Sequence, residues 1–150
     1  MPSMIDRARQ EHRLFGRIQR CLSGLRVTDL IADLEGGGGP HTVIAPIDAA
    51  FDELPWSFDR LLTDDSLLEP RFDLFEYLVI RGACDAEVPL HVRKTLHGET
   101  LVIGSGIVVG HQGVAKILAS GMWHGALVHA VDRCVLPSSI LRYEAQPWYS

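Results

Sequence analysis

Lysine is almost missing from this chain: Lys94 and Lys116 are the only two in 150 residues. A nucleic-acid-binding domain is expected to be basic, with Lys and Arg gathered on one face, so the body of this acidic chain offers no phosphate-binding stripe. Long apolar runs are missing too. No stretch approaches the roughly 18 to 20 residues of a membrane-spanning helix, so no transmembrane segment is expected. The N-terminus, MPSMIDRARQEHRLFGR, is charged throughout and lacks the apolar core of a secretory signal, which predicts a cytoplasmic chain as written. Cysteine is sparse, odd in number and widely spaced (Cys21, Cys84, Cys134) with no C-x-x-C pair. That excludes a zinc cluster and a disulfide framework, and predicts reduced, buried thiols. No internal repeat is present.

What remains is a chain with enough apolar content, 47% hydrophobic, to bury a core, and of a length that fits one domain. We read residues 1–150 as a single domain with a core of about 11–140 and short extensions at both ends. Its charge is uneven. Residues 1–26 carry six arginines against Asp6 and Glu11, a local +4 that leaves −9 for the remainder of a chain with net charge −5.

From Arg9 to Leu25 the pattern has helical period, with Leu14, Phe15, Ile18, Leu22 and Leu25 on one face and Arg9, Arg13, Arg17 and Arg20 on the other. Gly24 is expected to stop this helix. Val27, Leu30, Ile31 and Leu34 predict a second short helix, and GGGGP at 36–40 a loop. Thr42 to Ala45 reads as a buried strand, followed by a helix in which Asp48 is expected to cap N–H groups near Ala50 or Phe51 and which Pro55 ends. Helical turns are predicted around Phe58–Leu62 and from about Pro70 to Leu78. After Val79 the pattern changes to β-rich runs at Thr95–Ile103, Ile107–Val109, Val114–Leu118 and Ala126–Leu136, separated by glycines. A helical first half and a strand-rich second half around one central strand-turn-helix predict an α+β domain with a compact β-sandwich.

Four segments, in order, resemble the signature blocks of the fasciclin (FAS1, beta-Ig-H3) domain family, in the manner of its single-domain prokaryotic members. TVIAPIDAAF (Thr42–Phe51) is similar to TVFAPTDEAF, and LFEYLVIRG (Leu74–Gly82) to L-x-x-Y-H-V-V-x-G. TLHGETLVI (Thr95–Ile103) is similar to T-L-x-G-x-x-L-x-V, and GALVHAVDRCVLP (Gly125–Pro137) to the second signature, N-G-V-I-H-V-I-D-x-V-L-x-P. The resemblance implies a twisted β-sandwich wedge with several helices packed around it. It also implies adhesion or binding of a protein or glycan outside the cytoplasm, and no catalytic residues or cofactor. The motif positions Thr42, Pro46, Asp48, Phe51, Tyr77, Gly98, Gly125, His129, Asp132 and Pro137 are expected to be structural. In animal members adhesion is associated with a Tyr-His and an Asp-Ile pair. Here Tyr77 is followed by Leu78, Ala119-Ser120 stand at the Asp-Ile positions, and His124 replaces the Asn of the second signature.

On the residues alone, Pro46 fixes the backbone as its strand ends. His129 shares one face of its strand with Leu127 and Val131, which predicts an internal histidine with a hydrogen bond to satisfy. Seven histidines raise metal binding, with His97, His111 and His124 in turns at one end of the fold, but no ligand spacing supports it, and no metal is expected. Gly104-Ser105-Gly106 lacks the strand-to-helix setting of a nucleophilic serine and reads as a β-turn. Cys134 reads as an inert strand thiol, and Asp64-Asp65 beside Ser66 as helix caps. GGGGP precedes a strand and lacks the lysine of a phosphate loop. The function expected is a non-enzymatic module binding a protein or carbohydrate through its surface. The arginine stripe Arg9, Arg13, Arg17 and Arg20 is the candidate contact for an acidic partner, an anionic surface or a polyanionic glycan. The alternatives are an intracellular structural or regulatory protein that kept the fold, and a small metal-dependent protein using the turn histidines. Neither partner identity nor oligomeric state is legible.

Overall fold

A computed structural model of the chain describes residues 16–28, 30, 40–54, 56–123 and 125–139. Arg9, Arg13, Leu14, Phe15, Ile31, Leu34, Pro55, His124 and the glycines at 36–39 lie outside the described residues.

Helix α1 (Gln19–Val27) buries Cys21, Leu22, Gly24 and Leu25. It does not stop at Gly24. A Cβ at that position would lie 1.9 Å from the ring of Phe75, so the glycine is there to let the helix close on an aromatic neighbour. Strand β1 (His41–Pro46) is buried at all six positions. That suits a strand covered on both faces, where a continuous run replaces polar alternation. A 3₁₀ segment (Asp48–Glu53), helix α2 (Phe58–Thr63) and helix α3 (Leu68–Tyr77) complete the helical half. Ser57 caps α2 by accepting from Arg60 N, and Asp64 caps a short 3₁₀ turn (Asp65–Leu67) by accepting from Ser66 N. The expected capping role of Asp64 is thus observed.

Six more strands follow among the described residues: β2 (Val79–Arg81), β3 (His91–Lys94), β4 (Thr100–Gly104), β5 (Ile107–Val109), β6 (Val114–Trp123) and β7 (Ala126–Val131). The sheet order is β2-β1-β7-β6-β5-β4-β3. Among the described residues only β1 and β7 pair in parallel, with Ile44 opposite His129. The long β6 belongs to two layers. Its first residues pair with β5 and the rest with β7, the change coinciding with an irregularity between Ile117 and Ala119. At the other seam Ile80 bridges Thr95, and Leu96 N donates to Val79 O at 2.9 Å, so the sheet almost closes on itself. The result is the α+β sandwich wedge expected, helical first and strand-rich second. Several boundaries differ from the sequence reading: β3 precedes the Thr95–Glu99 turn, β4 starts at Thr100 rather than Thr95, β6 runs to Trp123 rather than Leu118, and the last strand ends at Val131 rather than Leu136. The core gathers Ile18, Phe51, Phe75, Tyr77, Ile44 and Val128 between the helices and the sheet.

Candidate binding surfaces and the signature residues

The arginine stripe is only partly described. Arg17 is exposed. Arg20 is half-buried and has intramolecular partners: its Nη1 donates to Asp48 O at 3.0 Å and to Asp52 Oδ1 at 2.9 Å, and its guanidinium lies 5.6 Å from the Phe58 ring centroid. Arg20 therefore docks α1 on the Asp48–Glu53 segment.

Asp48 does not cap its own helix, as the sequence suggested. The 3₁₀ segment has no side-chain cap; instead Asp48 Oδ1 accepts from Arg20 N at 2.8 Å. The first residue of α1 is preceded by Ile18, which has no side chain able to accept a bond, so a carboxylate 28 positions away supplies the missing acceptor.

The other signature positions have structural employment. Thr42 Oγ1 donates to Gly82 O at 2.8 Å and accepts from Cys84 N at 2.9 Å, tying β1 to the chain leaving β2. Pro46 is the last residue of β1, opposite Val131. Phe51 is buried edge-on against Phe58, with centroids 5.1 Å apart. Tyr77 donates its hydroxyl to Thr100 O at 2.8 Å and accepts from His111 N at 3.1 Å; burial raises its pKa against that second bond. Gly98 and Gly125 take φ of +104° and +80° in tight turns. Asp132 Oδ1 accepts from Lys116 N at 2.8 Å, bracing β6 against the end of β7, and Pro137 is buried beyond it.

His129 is 1% exposed. Its Nε2 lies 2.6 Å from Cys84 O and its Nδ1 2.7 Å from Ser120 Oγ. A carbonyl can only accept, so Nε2 carries the proton, Nδ1 is bare, and Ser120 donates to it. Desolvation lowers the pKa of this ring, against smaller opposing contributions from the Cys84 carbonyl and Asp85. A neutral histidine with both nitrogens bonded agrees with the internal role expected.

His97 and His111 both reach Tyr77: the His97 ring is edge-on at 6.1 Å, and His111 contributes its backbone N–H. His97 also lies 3.3 Å from Asp73 Oδ1 and 3.7 Å from Glu99 Oε2. Among the described residues no three His, Cys, Asp or Glu side chains form a group that could hold a metal ion. Ser105 sits in a β-turn at φ +50°. All three cysteines are buried and unpaired with each other. Burial pushes the Cys134 thiol up to about 12, with Glu53 adding to it, and raises Cys21 and Cys84 as well; at Cys84 the Arg93 cation opposes the shift. None of these thiols is poised as a nucleophile.

Two features escaped the sequence reading. Arg71, 7% exposed, donates from Nε to Leu61 O at 2.6 Å and so holds α3 to the end of α2. Arg81, Arg93 and Lys94 line one cleft where β2 meets β3. Adjacent Arg-Lys at 93–94 was the only local sign of it.

No family model matches the chain. It is similar to the immunogenic protein MPB70 of Mycobacterium bovis, 32% identical over 104 residues, covering 66% of this chain and 51% of that protein. It is also similar to the cell surface glycolipoprotein MPB83 of the same species, 36% identical over 106 residues, covering 67% and 45%. The chain spans about half the length of the curated relatives it matches. Among solved structures, a FAS1 domain pair from the insect cell adhesion molecule fasciclin I matches with a TM-score of 0.57 at 14% identity, over 88% of this chain and 50% of that one, a likeness of fold. With the four signature blocks placed on that wedge, each in the structural position described above, the chain belongs to the fasciclin (FAS1) domain family.

Proposed function

We propose that residues 1–150 form one non-enzymatic binding module that engages a protein or carbohydrate partner through its surface. The observation that carries this reading is that the polar signature residues Thr42, Asp48, Tyr77 and His129 are bonded within the fold. Asp48 caps α1, Thr42 and Tyr77 each make two hydrogen bonds, and His129 uses both ring nitrogens. Groups committed in this way hold the wedge together, which leaves recognition to exposed positions. The name of MPB83, a cell surface glycolipoprotein, supports placing such a module at the cell surface rather than in the cytoplasm that the charged N-terminus suggested. No helix among the described residues is long and apolar enough to cross a membrane.

The contact proposed first is the arginine face of the N-terminal region, Arg9, Arg13 and Arg17, with Arg20 anchoring it to Asp48 and Asp52. Each exposed arginine near an anionic surface is worth about 1 kcal/mol at low salt and less as salt screens it. Reversing Arg13 and Arg17 to Glu is expected to move elution from a heparin column to markedly lower salt. Unchanged retention of the double variant rules this face out.

A further inference from the structure

The outward side of β3 to β6 carries a row of valines perpendicular to the strands. Val92 pairs with Val102, Val102 with Val109, and Val109 with Val114. Directly paired residues point to the same face, so the four line up across four strands. The intervening residues Leu101, Ile103, Val108 and Ala115 are buried, which assigns the valines to the outside. Val92 and Val114, at the two ends, are 63% and 52% exposed. Such a row is what the inner face of a sandwich presents to a second layer, and no second layer covers it among the described residues.

The row starts at a cationic cleft. Arg81, Arg93 and Lys94 line a cavity of about 540 Å³ at the β2–β3 seam, and no carboxylate is among the described residues that line it. Arg93 is held in place: its Nη1 donates to Cys84 Sγ at 3.0 Å and its Nη2 to Arg81 O at 2.7 Å. Gly82 takes φ +97°, which favours glycine, and a Cβ there would stand 2.7 Å from that Nη2. A shallow trough of about 450 Å³ adjoins the cleft, sharing Gly98 with it and running past Val92, Val102 and Val109 to His111. Glu99 also lines the trough, but its carboxylate accepts from Ser138 N at 2.9 Å. Lys116, the other lysine of the chain, lies two residues beyond Val114 at the far end. Lys94 and Lys116 share the outward face with Val92 and Val114, two positions along each strand, whereas Arg93, opposite the buried Leu101, reaches the cleft from the other side of the sheet.

We propose that this face binds an anionic amphiphile, with a phosphate head at Lys94, on the rim of the cleft, and an apolar chain laid along Val92, Val102, Val109 and Val114. Three strand spacings make the row about 14 Å long, room for a chain of about a dozen carbons. A second copy of this chain fits less well, because Lys94 and Lys116 would face their own copies and the Glu99 carboxylate is already bonded to Ser138 N. Head and chain each have a complement here, so neither alone should bind well.

Calorimetric titration of the full chain with dodecyl phosphate, below its micelle concentration, tests this. Dodecyl phosphate is expected to bind at least ~10-fold more tightly than inorganic phosphate or neutral dodecyl maltoside. Lys94→Glu and Val92→Asp, both at exposed positions that the fold tolerates, should each weaken it by ~10-fold or more. Arg17→Glu should leave it unchanged. Equal affinity for inorganic phosphate, absence of binding by the unaltered chain, or indifference to both β3 variants overturns the proposal. The inference shares with the binding-module reading only its assignment of function to the surface. Loss of heparin retention in the arginine variants with dodecyl phosphate binding intact, or the reverse, separates the two.

Discussion

The β1 side of the wedge and the outward face of β3–β6 are built from the same β-branched residues and behave in opposite ways. Around β1, Val43, Ile44 and Ala45 are sealed between helices and neighbouring strands, and the polar atoms introduced beside them are bonded. On the outward face, Val92 and Val114 stand in solvent with lysines at the ends of their row. Burial turns a residue into architecture; exposure leaves it available for recognition. The contrast predicts that substitutions on the first side are read in stability and those on the second only in binding.

The largest effect is expected at Phe51, 1% exposed and packed on Phe58 and Phe75. Phe51→Ala should cost ~3–5 kcal/mol, the transfer of a buried ring plus the cavity left behind. Chemical denaturation measures it directly. A loss below ~1 kcal/mol would mean that the helical layer is not locked to the sheet as described.

Next is Asp48, where the contrast can be sharpened by location. Asp48→Ala should destabilise by ~1–2 kcal/mol, while Asp48→Asn, which keeps an acceptor, should cost less. Hydrogen exchange identifies which helix is capped. Faster exchange should appear at Arg20 and its neighbours in α1. If the change is confined to Ala50 and Phe51, the carboxylate caps its own segment after all.

How much of this could be read from the sequence follows from whether each interaction is local. The strand Thr42–Ala45 and the turn glycines Gly98 and Gly125 were legible because their pattern lies within a few residues. Gly24 was misread as a helix stop because its reason, the Phe75 ring, is 51 residues away and absent from any helix rule. Asp48 was read as the cap of the helix that follows it, whereas the helix it caps precedes it by 28 residues. The strand β3 was missed because its register depends on the Thr95–Glu99 turn, and Val92 alone gives no alternation to detect. The valine row and the cationic cleft were illegible for a stronger reason. They run across the strands, so no stretch of sequence contains them: the pairing of β3 with β4, β4 with β5 and β5 with β6 assembles the row, and the seam of β2 with β3 assembles the cleft. The arginine stripe, by contrast, could be drawn from periodicity; of its members the described residues include Arg17, which is exposed, and Arg20, which pairs with Asp52.

A smaller effect on the β1 side comes from His129 and has a definite sign. Its folded-state pKa is depressed below the ordinary 6.5 by burial, so below that value the unfolded chain binds more protons than the folded one. Stability from this group is complete above about pH 6.5 and is lost as the pH falls toward the folded-state value, by no more than about 1.4 kcal/mol per pH unit. Acidification from pH 7 to 5 should therefore lower the Tm of the unaltered chain more than that of His129→Gln, whose side chain does not titrate. Parallel Tm curves for the two proteins would show that the ring is not held neutral.

The smallest effect is expected at Val92, and its smallness is the point. At 63% exposed, Val92 contributes little to folding, so Val92→Ser should change stability by no more than about 0.5 kcal/mol. The buried valine Val43, in β1, should cost several times as much when shortened, because its side chain is fully buried and its loss leaves a cavity. The pair gives an internal control: the same residue type in the same fold, differing only in whether anything covers it. A stability loss at Val92 comparable with that at Val43 would mean that the outward row is already packed in the free protein, by a second copy or by part of the chain outside the described residues. In that case the melting temperature of the unaltered chain should depend on protein concentration if the cover is a second copy, and be independent of it if the cover comes from the same chain. A neutral Val92→Ser, with Val43→Ala strongly destabilised, leaves the row open and makes the binding measurement at this face the decisive one.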